Sequence, residues 1–289
     1  MRALVLSGGG SKGQFQVGAL KHLLYDLGEQ YDLLCGVSVG ALVASFLAQY
    51  PLGQEKQAYK DLEELFSGVE NKDIWKRWFP FGKLHGLPLD FWPFSKMKKS
   101  SFVNSKPLQE LVGSKLNIKR IKKSGRQLIV GAVNLKTGEY NTFDQEHRPL
   151  SKAVLASSSF PAFFLPVLIQ NDLWTDGGIR TVTPIKAAID NGATEIDIIM
   201  CSPENVQQNF KRSPSAFDVA IRSIDIMMDQ VIDDDLDKAL LNNQIEGKKK
   251  IKFKVIRPDF QLNEDSLNFN PKEAKKLQHL GYMKAVEVI

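Results

Sequence analysis

Residues 33–46 read Leu33-Leu34-Cys35-Gly36-Val37-Ser38-Val39-Gly40-Ala41-Leu42-Val43-Ala44-Ser45-Phe46. An apolar run of strand length ends in Gly-x-Ser-x-Gly, and residues at helical spacing (Leu42, Ser45, Phe46) follow at once. That order predicts a strand, a sharp turn and a helix, the context in which a serine hydroxyl is lifted clear of the backbone. Gly36 and Gly40 supply the small flanks that such a turn needs.

Upstream, the same order occurs once more. Ala3 to Leu6 predicts a strand, Gly8-Gly9-Gly10-Ser11-Lys12-Gly13 a glycine turn, and Val17, Leu20, Leu24 and Leu27 one face of a following helix. Unpaired N–H groups converge where such a turn opens a helix, so it can hold an anion or a developing negative charge. Further strands are expected at Leu128 to Val133, Ile196 to Met200 and Ile251 to Ile256, with Lys136-Thr137-Gly138 turning a hairpin between Leu128 and Phe143. From Phe217 to Leu241 apolar residues (Phe217, Ile221, Ile224, Met228, Val231) recur at helical spacing, with Asp218, Arg222, Asp225 and Asp229 on the other side. A long core-packing helix is expected there. Strands alternating with helices predict an α/β fold, a three-layer α/β/α sandwich around a mainly parallel sheet. No Gly/Ser or Pro-rich linker and no internal repeat marks a boundary, so residues 1–289 are expected to form one domain.

Composition narrows the setting. With 43% hydrophobic and 25% charged residues among 289, the chain falls in the ordinary globular range. The apolar residues Ala3 to Leu6 are too few for a signal-peptide core, and the longest apolar run, Phe160 to Ile169, is too short to span a bilayer. Cys35 and Cys201 at strand ends fit small buried thiols. A reduced, cytoplasmic protein is the expectation. A net charge of +5 suits anionic surfaces of either nucleic acid or phospholipid.

Gly8 to Gly13 also satisfies G-x-G-x-x-G. The only nearby acid for a ribose, Asp32, precedes the second strand, whereas a dinucleotide-binding carboxylate belongs at a strand's carboxyl end. A P-loop fails because Gly-Lys-Ser/Thr is absent. Asp176-Gly177-Gly178, after Leu173-Trp174, places a carboxylate in a glycine turn, which taken alone is a turn signal.

Taken together and in this order, Gly-Gly-Gly-Ser-Lys-Gly, Gly-Val-Ser-Val-Gly and Asp-Gly-Gly resemble the patatin-like phospholipase family. The segment Ala156-Ser157-Ser158-Ser159-Phe160-Pro161, running on to Phe164 and Pro166, is similar to the family's approach to its catalytic aspartate. The resemblance covers residues 1 to about 200, with 251–289 loosely like the closing strand and helix. It implies Ser38 as nucleophile, Asp176 as base in a two-residue dyad, and Gly8, Gly9 and Gly10 as oxyanion hole. Lys12, Gly13, Gly36, Gly40, Gly177 and Gly178 would be supporting residues. The chemistry implied is lipid ester hydrolysis through an acyl-enzyme, with a phospholipid or lysophospholipid as substrate.

A histidine base is disfavoured by chain order. Only His279 follows Asp176, within Lys275-Lys276-Leu277-Gln278-His279-Leu280, which reads as a surface helix; His22, His85 and His147 come earlier. No His/Cys set has metal-ligand spacing, and Asp233-Asp234-Asp235 falls inside the long helix. Neither metal nor cofactor is expected, and no nucleic acid. Residues 72–99 hold three of the four tryptophans (Trp75, Trp78, Trp92) with seven Lys or Arg, Lys76 and Arg77 among them, against Asp73 and Asp90. Such a mixture suits transient contact with a membrane surface, or packing over the sheet. The alternatives to an esterase are a catalytically idle membrane-binding or regulatory protein and a nucleotide-binding protein using Gly8 to Gly13.

Overall fold

The structure is a computed structural model and describes residues 1–77, 101–204, 216–245, 249–262 and 266–289. Its described strands are β1 (Arg2–Leu6), β2 (Leu33–Gly36), β3 (Lys76–Arg77), β4 (Val103–Asn104), β5 (Gln127–Asn134), β6 (Tyr140–Asp144), β7 (Val167–Ile169), β8 (Asp172–Asp176), β9 (Glu195–Ile199) and β10 (Lys252–Ile256). The helices are α1 (Gly13–Leu20), α2 (Val39–Leu47), α3 (Glu55–Ser67), α4 (Asn71–Ile74), α5 (Lys106–Lys115), α6 (Ile118–Lys123), α7 (Leu150–Ser157), α8 (Ile185–Asp190), α9 (Ala216–Asn242) and α10 (Pro271–Val288).

Strands β10, β9, β1, β2 and β5 lie side by side and parallel. Both faces of this sheet are covered. Leu4, Leu6, Leu34, Leu128 and Val130 point into one apolar cluster, with α1, α2 and α10, while Ala3, Val5, Leu33, Cys35 and Ile129 point into a second, with α8 and α9. That double burial is why β1 and β2 read as unbroken apolar runs rather than alternating ones. Truncating a fully buried side chain such as Leu4 or Leu6 to Ala would cost about 2–5 kcal/mol. The α/β/α sandwich with a mainly parallel sheet is as the sequence predicts. Cys35 and Cys201 are buried free thiols.

Three details differ from the sequence reading. First, the expected antiparallel hairpin (β5 with β6) is joined by two more antiparallel strands, β8 on β5 and β7 on β8. Second, Leu27 is 49% exposed although Val17, Leu20 and Leu24 are buried. The helix widens into a π-helix over Lys21–Asp26, which adds residues to each turn and rotates Leu27 off the apolar face. Third, α9 is present as expected, but Asp225 and Asp229 do not face bulk solvent: they line a cavity together with Met228, while Ile226 and Met227 are exposed. The side chains of Phe217, Asp218 and Ile221 lie outside those described. The strand expected at Ile251 to Ile256 is β10 at the sheet's edge, with Lys252 and Lys254 exposed and Lys252 3.3 Å from Glu195.

Candidate active site

Register along β5 brings Ser38 and Asp176 together. On one edge of β5, β2 runs parallel to it as far as Gly36, which pairs with Val130. Strand β6 occupies the opposite edge from Ile129 to Val133. Since Ala132 and Val133 already have β6 on that side, β8, which pairs Asp176 with Ala132, must continue in the lane that β2 vacates. One strand is parallel to β5 and the other antiparallel, so their carboxyl ends meet head to head. The meeting point is two β5 residues wide, roughly 7 Å along the strand.

Ser38 sits just past the end of β2 with φ 56° and ψ −128°, in the left-handed half of backbone space that a β-carbon disfavours. The turn is held by crowding. A β-carbon on Gly36 would overlap the carbonyl of Gly40, and one on Gly40 would overlap the carbonyl of Leu6, so only glycine fits at either flank. Gly13, at the start of α1, lies against Val39 in the same way.

The serine run after α7 pins both halves of the junction. Ser38 N–H donates to Ser157 Oγ at 3.1 Å, and Ser158 Oγ donates to Ser38 O at 3.2 Å. Ser159 O accepts from Asp176 N–H at 3.0 Å and from Thr175 Oγ1 at 2.7 Å. The sequence reading placed this run before the aspartate without foreseeing that it bridges serine and aspartate; four polar bonds to two distant strands leave no periodic signal in the chain.

Asp176 is fully buried. Burial pushes its carboxyl up to about 7; the Gly178 N–H, donating to Oδ1 at 2.8 Å, and the Ser38 hydroxyl partly oppose this by favouring the charged form. Oδ2 completes no hydrogen bond within the described structure. The serine thus approaches the carboxylate without a closed bond, as is common in unliganded sites. Gly177 follows, packed against the Gly131 carbonyl.

The glycine turn lies beside the serine, a β-carbon on Gly8 falling 3.3 Å from Ser38 Cβ. The amide of Gly8 is already engaged, donating to Val182 O at 3.0 Å, and Ser11 N–H donates to Ser266 O at 2.7 Å. Gly9 and Gly10 amides donate to no described residue. Neither does the amide of Val39, which opens α2 and, as a first-turn N–H, has no partner within the helix. Val39 was missed from sequence, although the residue after an elbow nucleophile is a usual oxyanion donor. Lys12 is buried beside these amides.

Ser38 and Gly8 to Lys12 open into a cleft. Its wall toward α2, α3 and α5 is apolar (Leu42, Phe46, Leu65, Leu108, Leu111, Val112), and Phe160 and Phe164, which follow α7 in the chain, line it too. Leu108, Leu111, Val112 and Lys115 share one face of α5, laid over the cleft.

A family profile described as patatin-like phospholipase matches residues 4–189, which include the glycine turn, Ser38 and Asp176. The chain belongs to the patatin-like phospholipase family. It is 26% identical over 251 residues to a cGAMP-activated phospholipase of Escherichia coli (strain TW11681), covering 74% of this chain and 65% of that protein. A cGAMP-activated phospholipase of Vibrio cholerae serotype O1 is 24% identical over 208 residues, covering 64% and 55%. The chain thus spans less than two thirds of these curated relatives. Among solved structures it is similar to VipD from Legionella pneumophila, with 14% identity and a TM-score of 0.43, over 99% of this chain and 66% of that one.

Other residues singled out from this patatin-like sequence fall elsewhere. Trp75 is half-buried: its Nε1–H donates to Leu267 O at 3.2 Å and its ring meets Phe163 edge-on at 5.6 Å. Lys76 is exposed, and Arg77 pairs through its backbone with Val103. The Arg77 side chain, Trp78 and Trp92 lie outside the described residues. Asp32 accepts the Arg2 N–H at 2.9 Å at the amino end of the sheet, opposite the glycine turn. His279 is exposed on α10. Among the described residues there is no group of three His, Cys, Asp or Glu able to hold a metal, and no helix long and apolar enough to cross a membrane.

Proposed function

We propose that this protein is a serine-dependent lipid acyl hydrolase using Ser38 and Asp176. The supporting observation is the head-to-head meeting of β2 and β8 on one edge of β5, which sets a strained serine beside a fully buried carboxylate. Ser38 Oγ attacks the ester carbonyl carbon as its proton passes to Asp176 Oδ2, an oxygen with no other partner. Negative charge on the carbonyl oxygen is met by the free amides of Gly9, Gly10 and Val39. Collapse breaks the ester C–O bond, the leaving alkoxide takes the proton from Asp176, and an acyl-serine remains. Water then attacks, giving its proton to Asp176; the acyl–Oγ bond breaks, the proton returns to Ser38, and the fatty acid leaves.

A carboxyl held near 7 suits this duty better than an ordinary one near 4, because a base matched to the working pH takes a proton more readily. The apolar cleft beside Ser38 fits an acyl chain, so the substrate is a phospholipid or lysophospholipid reached by transient contact with a membrane surface. Residues 72–99 supply that contact, in a cytoplasmic protein whose residues 1–289 form one patatin-like domain. Purified protein should hydrolyse p-nitrophenyl acyl esters, and Ser38→Ala and Asp176→Asn should each abolish turnover. Equal rates for all three proteins would leave the catalytically idle reading in its place.

A further inference from the structure

The cleft has a second wall that the ester chemistry does not use. Lys12, 8% exposed, lines it, and its ammonium makes no hydrogen bond or ion pair with any described residue. A buried ammonium left unpaired is costly, and such a cost persists where a ligand supplies the missing anion. Facing the same space are Asp225 and Asp229, one turn apart on α9, with Ser202 from the end of β9. Asp229 accepts from Ser202 Oγ at 3.4 Å and lies 3.9 Å from Arg222 Nη1, a buried nitrogen with no hydrogen-bond partner. Burial raises the Asp229 carboxyl, and the charges of Lys12 and Arg222 oppose that rise.

Topology separates this charged wall from the acyl-binding one. Lys12 follows β1, Ser202 follows β9 and α9 packs over the turn Gly177–Ile179, whereas the apolar wall is built by α2, α3 and α5 toward β2 and β5. Ser38 stands between them. Among the described residues the charged wall carries one cation, Lys12, against two acids, Asp225 and Asp229, with Arg222 standing 3.9 Å from Asp229. A site for a purely anionic headgroup would be expected to hold net positive charge, and a site for a neutral glyceride would not bury charges at all.

We propose that this wall is a headgroup site for a zwitterionic phospholipid, its phosphate received by Lys12 and its ammonium by Asp225 and Asp229. The site rests on the acyl-hydrolase reading and adds a selectivity to it. Asp225 and Asp229 lie beyond residues 4–189, so the discrimination comes from a part of the chain outside the family match.

Lysophosphatidylethanolamine, lysophosphatidylglycerol and monoacylglycerol with one acyl chain should be compared in mixed micelles. The expected kcat/KM is highest for the ethanolamine lipid, by on the order of tenfold. Asp225→Asn and Asp229→Asn should shrink the ethanolamine-to-glycerol ratio through KM. Equal kcat/KM on all three lipids, or an unchanged ratio in both variants, overturns the site while leaving ester hydrolysis standing. The wild-type preference alone decides if the variants do not fold. If no ester is cleaved, the hydrolase reading fails, and binding decides the site: glycerophosphoethanolamine should raise the melting temperature of the unaltered protein where glycerol does not, and no shift overturns it.

Discussion

The two ends of the parallel sheet bury charge to opposite purposes. At the amino end Arg2 bonds both Glu29 and Asp197, the latter at 2.7 Å, and Tyr31 Oη donates to Asp197 at 2.7 Å. Nearby, Arg126 donates to Tyr50 O, Tyr31 O and Glu55 Oε1 at 2.8, 2.7 and 2.6 Å. At the carboxyl end Asp176 Oδ2 and the Lys12 ammonium have no hydrogen-bond partner among the described residues and Ser38 has a positive φ. Matched charges can only hold the fold. Unmatched ones cost stability and remain available to a reacting molecule.

The largest effect expected from this contrast is at the carboxyl end. Ser38→Ala and Asp176→Asn should each lower kcat/KM by at least about 10³-fold in an ester assay, with circular dichroism unchanged. Asp176→Asn should also raise stability at pH 8 by a few kcal/mol in urea titration, since the folded protein holds this carboxylate well above its ordinary value. The sign follows from that shift: from about pH 4 to about 7 the unfolded chain ionises at this position while folded Asp176 keeps its proton, so rising pH weakens the fold over that window. A destabilised Asp176→Asn protein would contradict the comparison.

At the amino end the reverse should hold. Glu55→Gln strands the Arg126 charge and should cost about 3–5 kcal/mol, while the protein that remains folded keeps its kcat. Loss of kcat without loss of stability would show that the two ends are not separate in function. Next in size is the pH dependence: kcat/KM should rise to a plateau with an apparent pKa of about 7 and fall about tenfold per pH unit below it, because Asp176 must be ionised to act. A profile flat from pH 5 to 8 would remove Asp176 as base. The smallest effect is on the clamp. Ser157→Ala leaves the Ser38 N–H without its acceptor and should lower kcat by about tenfold, the equivalent of one lost hydrogen bond, with little change in KM for a soluble ester.

Much of the fold could be read from residues 1–46, because turn chemistry is local. Glycines at Gly36 and Gly40 answer to crowding within a few residues of Ser38, and doubly covered strands show as unbroken apolar runs. The same pattern logic found α9 but gave its acids to solvent, since a period of 3.6 says which residues share a face and not whether water or a cleft lies opposite.

What the chain by itself determined was therefore the β1 and β2 units and the turns that end them, with Ser38 and Asp176 as the residues proposed for the chemistry. Only the tertiary structure decided that β8 inherits β2's lane on β5, that Ser157, Ser158 and Ser159 tie serine to aspartate, and that Lys12 and Asp229 share one cavity. Those are pairings between different elements of the chain, set by strand register and burial, which no local pattern of residues encodes.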